Sequence, residues 1–435
     1  MILSKISLSF LIVTLMAGCY GGGGISSNGN GGTTGHSGSS GTSGGSGVVS
    51  SPTITGTNVL QITVNGSLCL NNAYLNEPCV EVKICAPGTL NCQTISGILL
   101  DTGSFGLRIF NSVLTLNPSL TPIVSGSASL AECAVFGSAT FWGPVAMADV
   151  YLGGEPKITV PIQIFEPSFA GMTPTGLCPY TEVSNTPLAP SITGFNGILG
   201  VGILVYDEQT YYSCNGSNCT VTTPAVTDQV YNPVVSLPTD SNGLLVQLPV
   251  IPAGGATAVN GNLVLGIGTQ SNNTVLGIGT QPNNTPSGVV AYPANASTAE
   301  FITTVTGTVN QYTSLIDSGS NGLFFNPVTA SQASLLPTSC TLEDWFCPST
   351  TQDLSATNTG ASGAPPPSGL VSFQIGNIIT LTDSGNAAFN DIGGTFGSPN
   401  PDFFDWGLPF FYGRNVWIGI EGQTSTLGIG PYWAY

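Results

Sequence analysis

The sequence predicts an all-β protein built from two related halves, and three observations carry the prediction. Charged residues are only 6% of the 435 positions, too few to cover the wet faces of long amphipathic helices. Glycine and proline number 58 and 31 while 41% of the chain is hydrophobic, which fits a folded protein rich in strands and turns. One short acid-bearing turn also occurs twice, as "LLDTGSFGLRIF" over 99–110 and "LIDSGSNGLFFN" over 315–326.

In chain order, "MILSKISLSFLIVTLMAGC" carries one lysine, an apolar run and a small-residue ending, so residues 1–18 read as a secretory signal. The ending resembles a bacterial lipobox, with Met16 where leucine is usual, and this implies acylation of Cys19. Residues 19–51 then form a tether rich in glycine and serine. The expectation is an exported lipoprotein of the bacterial envelope that meets the membrane only through its lipid. Tyr20 in place of an aspartate favours the outer membrane.

Cysteine usage agrees with export: of 11 cysteines, an even number remains once Cys19 is set aside. Local spacing suggests Cys69–Cys79, Cys85–Cys92, Cys133–Cys178, Cys214–Cys219 and Cys340–Cys347, although sequence leaves connectivity open. A zinc site would need four cysteines, because the single histidine, His36, lies in the tether, and paired CxxC motifs are missing. No metal and no cofactor is expected.

From residue 52 the chain alternates short apolar runs with Gly, Pro and Asn: "NVLQITVNG", "VEVKICAPG", "ISGILLDTG", "DVYLGG", "ITVPIQIFE" and "NGILGVGI". These have strand lengths and turn punctuation, and no window shows a helical stripe. An eleven-residue tandem repeat, "LGIGTQSNNTV" then "LGIGTQPNNTP", is too short for a solenoid and reads as a lengthened hairpin. Each Asp turn is followed, at similar distance, by an apolar-apolar-Gly element, ending at Gly200 in the first half and Gly413 in the second. Residues 52–290 and 291–435 are therefore read as two lobes, each contributing one carboxylate.

The net charge of -17, with five basic residues in all, excludes phosphate-driven nucleic-acid binding. Serine, cysteine and zinc hydrolase mechanisms need a positioned imidazole or an elbow motif, but the one histidine lies in the tether and no GxSxG occurs beyond it. Carboxylate chemistry remains. Two carboxyls about 3 Å apart share one proton. The ionised member can then activate a water while the protonated member donates to a carbonyl oxygen. Asp101 and Asp317 are the expected catalytic pair. Thr102, Gly103 and Ser104 support the first, and Ser318, Gly319 and Ser320 the second: the glycines allow close approach, and the hydroxyls cross to the opposite loop or hold outer carboxylate oxygens.

These motifs resemble the pepsin-like aspartic peptidases, bilobal β-proteins with one D-T/S-G loop per lobe, over roughly residues 55–435. "GFNGILGVG", "LVLGIG" and "WIGIEGQTSTLGIGP" are similar to strands of that family. "LLDTG" and "FYGRN" resemble its retroviral branch, which implies a structural role for Arg414 beside the active loop. The resemblance implies an endopeptidase, working as a monomer on an extended peptide or unfolded protein held between the lobes. It also implies a flap hairpin in "FGSATFWGPVAMADVYLGG", with Phe136 at the family's tyrosine position and Gly137 next. Arg108 stands where the family has the tryptophan that pairs with that tyrosine. Trp142 is a further flap or cleft candidate. The family's basic prosegment has no counterpart between Cys19 and the first strand. The competing expectations are a catalytically inactive protein on the same fold that binds a peptide, glycan or foreign enzyme, and a surface adhesin.

Overall fold

A computed structural model describes residues 47–116, 119–137, 139–171, 188–206, 209–270, 272–274, 280–281, 286–396 and 402–435. The expected signal peptide, Cys19, most of the tether and Cys178 lie outside the described residues. Within them the protein is all-β. Its helices are single turns or little more, such as Pro190–Thr193, Ala330–Leu335 and Ile378–Thr382. No described helix is long and apolar enough to cross a membrane.

The first stretch contains β1 (Val59–Val64), β2 (Pro78–Cys85), β3 (Cys92–Asp101), β4 (Phe105–Phe110), β5 (Ala128–Val135), β6 (Thr140–Tyr151), β7 (Ile158–Phe165) and β8 (Gly197–Val201). β9 (Thr210–Asn215) and β10 (Asn218–Thr222) form a hairpin, and β11 (Gly243–Gln247) pairs with β12 (Val259–Leu265). All belong to one large sheet. The second stretch supplies β13 (Ala291–Pro293), β14 (Phe301–Val305), β15 (Tyr312–Ile316), β16 (Leu323–Phe325), β17 (Gln352–Thr359), β18 (Ser368–Ile375), β19 (Gly393–Gly394), β20 (Phe403–Trp406), β21 (Asn415–Gly419) and β22 (Tyr432–Ala434). Seven of these make a second sheet in the order β18-β17-β14-β15-β20-β16-β19. The other three, β13, β21 and β22, return to the large sheet, where β21 pairs with β11. Sheet membership thus crosses the sequence division at 290.

One local pattern occurs in both sheets. β8 lies between the two arms of the first Asp turn, parallel to β3 and antiparallel to β4, with Gly200 opposite both Asp101 and Gly106. β20 lies in the same way between β15 and β16, with Trp406 opposite Ile316 and Leu323. Enclosure on both sides explains why "GILLD" and "GILGV" read as continuous apolar runs rather than alternating ones. Ile98, Leu99, Leu100, Ile198 and Leu199 are all fully buried. With about 1.5–3 kcal/mol per fully buried large aliphatic side chain, apolar burial outweighs the few ion pairs this chain can make.

The expected bridges Cys69–Cys79, Cys85–Cys92 and Cys214–Cys219 are formed. The last two join residues directly opposite on paired strands, which explains why short spacing identified them. Cys133 is also disulfide-bonded. The expected Cys340–Cys347 bridge is corrected: both thiols are free and in mutual contact. Each thiol points at backbone carbonyls instead, Cys340 Sγ at Leu342 and Trp345 (3.6 Å each) and Cys347 Sγ at Pro337 (3.4 Å). In the tandem repeat, Asn272 and Asn273 pair antiparallel with Gln281 and Thr280.

Candidate active site

The two Asp turns are brought together by hydrogen bonds exchanged between their second residues. Thr102 N donates to Ser318 Oγ (3.1 Å), and Ser318 N donates to Thr102 Oγ1 (2.9 Å). Each hydroxyl in turn donates beneath the other loop, Thr102 Oγ1 to Ile316 O (2.8 Å) and Ser318 Oγ to Leu100 O (2.7 Å). Four buried polar groups are satisfied reciprocally, so neither turn keeps its pairing without the other.

This lock brings the Asp317 carboxyl up against Gly103 of the first turn, close enough to Asp101 for each acid to act on the other's protonation. Gly103 N donates to Asp101 Oδ1 (2.8 Å) and Gly319 N to Asp317 Oδ1 (2.7 Å). Ser104 Oγ donates to Asp101 Oδ2, and Ser320 Oγ lies 2.8 Å from Asp317 Oδ2. Glycine at position 103 is a steric requirement, because a Cβ there would lie 2.5 Å from the Asp317 carboxyl carbon.

Both carboxyls are fully buried. Burial pushes Asp101 above the usual carboxylate range, opposed by hydrogen bonds from Asp317, Ser104 and Gly103 and by the Arg108 charge. Burial pushes Asp317 well above that range, and the neighbouring carboxyls of Asp101 and Asp405 act in the same direction. Both carboxyls are thus raised, and two acids this close titrate as one pair that retains a proton where isolated carboxyls would ionise.

The hairpin of β5 and β6 carries Phe136 and Ala139 at its turn, where Phe136 N donates to Ala139 O (2.8 Å). Phe136 is buried in an apolar cluster with Tyr74, Leu99, Phe110, Phe141, Phe165, Phe195 and Ile198. Leu99 sits two residues before Asp101, so the cluster forms a wall beside the dyad. Gly137 is exposed at the turn. Arg108 is fully buried: it pairs with Glu132 (2.8 Å), donates to Gln163 Oε1 (3.1 Å) and Phe105 O (2.7 Å), and faces the Phe136 ring at 5.6 Å. Burial raises Glu132, and Arg108 opposes that shift.

Two candidates sit elsewhere. Trp142 packs on the outer side of β6 against Tyr212, with its indole N–H donating to Phe169 O (3.2 Å). Arg414 lies over the Phe410 ring at 4.6 Å and donates to Phe410 O (2.6 Å) and Ser372 O (3.3 Å) rather than to either Asp turn.

Gly413 is likewise not the counterpart of Gly200. It occupies a turn whose N–H donates to Leu248 O and Pro249 O. The strand between the arms of the second turn is followed at once by Gly407, where a Cβ would stand 2.0 Å from Gly322 O. A Cβ on Gly200 would likewise stand 2.5 Å from Phe105 N.

Three site residues escaped sequence reasoning. Tyr74 donates its hydroxyl to Gly319 O (3.4 Å); burial raises it well above the usual phenol range, with Glu77, Asp101 and Asp317 adding to the effect. Glu77, raised well above its ordinary range by burial, accepts from Tyr74 N (3.1 Å). Asp405 lies 2.6 Å from Ser320 Oγ and is pushed well up by burial. An acid inside the apolar run "FFDWGLPFF" was the available signal for Asp405. Tyr74 and Glu77 precede the first turn in an irregular segment and gave none.

A family described as a protein of unknown function, DUF3443, matches residues 55–276 and 274–435. The chain belongs to this family. No curated protein matches it.

Proposed function

We propose that this protein is an aspartic endopeptidase on a bilobal pepsin-like fold, with Asp101 and Asp317 sharing a proton and activating one water between them. The observation that carries the reading is the reciprocal Thr102–Ser318 lock, which brings two fully buried carboxyls together at one place, both raised by burial. Asp101, ionised, takes a proton from the water as it attacks the amide carbon. Asp317 donates its proton to the carbonyl oxygen, which becomes the hydroxyl of a tetrahedral diol. Return of a proton to the leaving nitrogen breaks the C–N bond. Gly103 N–H, Gly319 N–H and the two serines keep both carboxyls in place throughout.

The protein acts as a monomer, carried on a lipid-anchored tether in the bacterial envelope. A second reading, a catalytically silent binder of a peptide, glycan or foreign enzyme, draws support from one feature: Phe136 packs on Arg108 and brings no hydroxyl to the turn.

Cleavage of an unfolded protein from pH 3 to 7 separates the two. Wild type is compared with Asp101→Asn and Asp317→Asn, each with and without a statine-type inhibitor. The peptidase reading expects acid-favoured turnover that falls by roughly 10²–10⁴-fold in either variant. Equal turnover in variants and wild type, or none at any pH, moves the assignment to binding.

A further inference from the structure

The two Asp turns differ at one pair of matched positions. Ile198 lies opposite Leu99 and Arg108, and Asp405 lies opposite Leu315 and Phe324, at the same step of the inserted strand. Where the first turn has an aliphatic side chain, the second has a fully buried carboxyl.

Ser320 Oγ stands between two acids, 2.8 Å from Asp317 Oδ2 and 2.6 Å from Asp405 Oδ2. A hydroxyl owns one proton and can donate to only one of them. The other contact needs a proton from a carboxyl. On the peptidase reading the Asp317 proton faces Asp101, which leaves Asp405 as the donor to Ser320. The second oxygen, Asp405 Oδ1, is buried without a hydrogen-bond partner. An unpartnered carboxylate oxygen is far more costly to bury than the carbonyl oxygen of a neutral acid. Both observations indicate the same protonation state.

We propose that Asp405 is a third acid of the site, a carboxylic acid that donates to Ser320 Oγ and so turns the Ser320 hydroxyl onto the outer oxygen of Asp317. Asp405 is a positioning residue and acts through Ser320; the proposal rests on the peptidase reading. The neighbouring strands put only Leu315 and Phe324 opposite it. The titratable groups that face it are Asp317 and, beyond it, Asp101, and burial raises Asp405 in the same direction. Arg108, the cation that acts on Asp101, is engaged with Glu132. The site therefore holds two protons among three carboxyls, one shared by the dyad and one on Asp405.

Infrared difference spectra of the full chain between pH 5 and pH 9 test this directly. Wild type is expected to show a carboxylic-acid C=O band that Asp405→Asn lacks and Asp101→Asn keeps. A band unchanged in Asp405→Asn overturns the proposal. Kinetics provide the second arm. Asn presents an N–H to Ser320 in place of the acid O–H and is expected to keep kcat near wild type. Asp405→Val removes the donor and lowers kcat by about 10- to 100-fold, the effect of one hydrogen bond to a charged group, with KM unchanged. Equal loss in Asn and Val, or no loss in a folded Val variant, overturns the positioning role. If Val does not fold, the isosteric Asn variant and the spectra still decide. If wild type cleaves nothing, the peptidase reading falls while the infrared arm still tests the protonation of Asp405.

Discussion

Thr102 and Ser318, 216 positions apart, each donate a backbone N–H to the other's hydroxyl. Their hydroxyls then pass the bond on to Ile316 O and Leu100 O. Removing either hydroxyl leaves a buried N–H and a buried carbonyl unpaired. Thr102→Val and Ser318→Ala are each expected to lower stability by about 1–3 kcal/mol. Because the two share one network, the double variant should lose clearly less than the sum, which denaturant titration of all four proteins will measure. Strict additivity would mean that the two turns are held independently.

Stability is expected to decrease as pH rises. Asp317, Asp405 and Glu77 are all pushed well above the carboxylate range by burial. An acid whose folded pKa exceeds its unfolded value binds protons more tightly when folded. Its contribution is full below the unfolded value of about 4 and is lost as pH climbs through the folded one. Asp149 opposes this trend: burial pushes it up, but Lys157 (2.5 Å), Thr159 and Gly88 N–H outweigh burial and hold it low. Three fully buried acids outweigh one pair whose lysine is half exposed. Melting temperatures from pH 4 to pH 8 should fall, and a rising profile would contradict the buried-acid account.

Arg108 and Glu132 form a fully buried ion pair. Arg108→Met strands the Glu132 charge and should cost about 3–5 kcal/mol, much of it recovered in the Arg108→Met/Glu132→Met double variant. Arg108 also holds Asp101 down electrostatically. Its loss raises Asp101, so the acid limb of kcat/KM should move to higher pH. A single variant as stable as wild type would show that the pair is not desolvated.

Much of this site was legible because its chemistry restricts residue type. An acid that must meet its twin needs Gly103 for clearance and a hydroxyl at 102 or 318 for the lock, so the turn was visible twice. The strand behind the first turn was legible too, since burial on both faces demands "GILGV". Its second counterpart was missed because Asp405 interrupts the apolar run, and "FFYGRN" offered a better-looking match. Cys85–Cys92 was readable as a tight cross-strand pair. Cys340 and Cys347 had similar spacing, but neither lies on a strand that would set them opposite each other. Tyr74 reaches the second Asp turn, with Glu77 behind it, through tertiary packing, which leaves no periodic trace.

Gly407 and Gly413 give the sharpest test of that correction. An alanine Cβ at 407 would stand 2.0 Å from Gly322 O and 2.6 Å from Ser320 O, both backbone atoms that cannot turn away. Gly407→Ala must therefore displace the stretch that carries Ser320, with a loss of about 1–3 kcal/mol or more and of most turnover. Gly413 has φ 75°, so alanine there costs about 1–2 kcal/mol of backbone strain. Its nearest obstacle is the Val250 side chain at 2.8 Å, well outside the Asp turns, so the dyad keeps its geometry. Turnover per folded molecule should collapse in Gly407→Ala and persist in Gly413→Ala, with active protein counted by inhibitor titration. The reverse ranking would place the second apolar-apolar-Gly element at 411–413 after all.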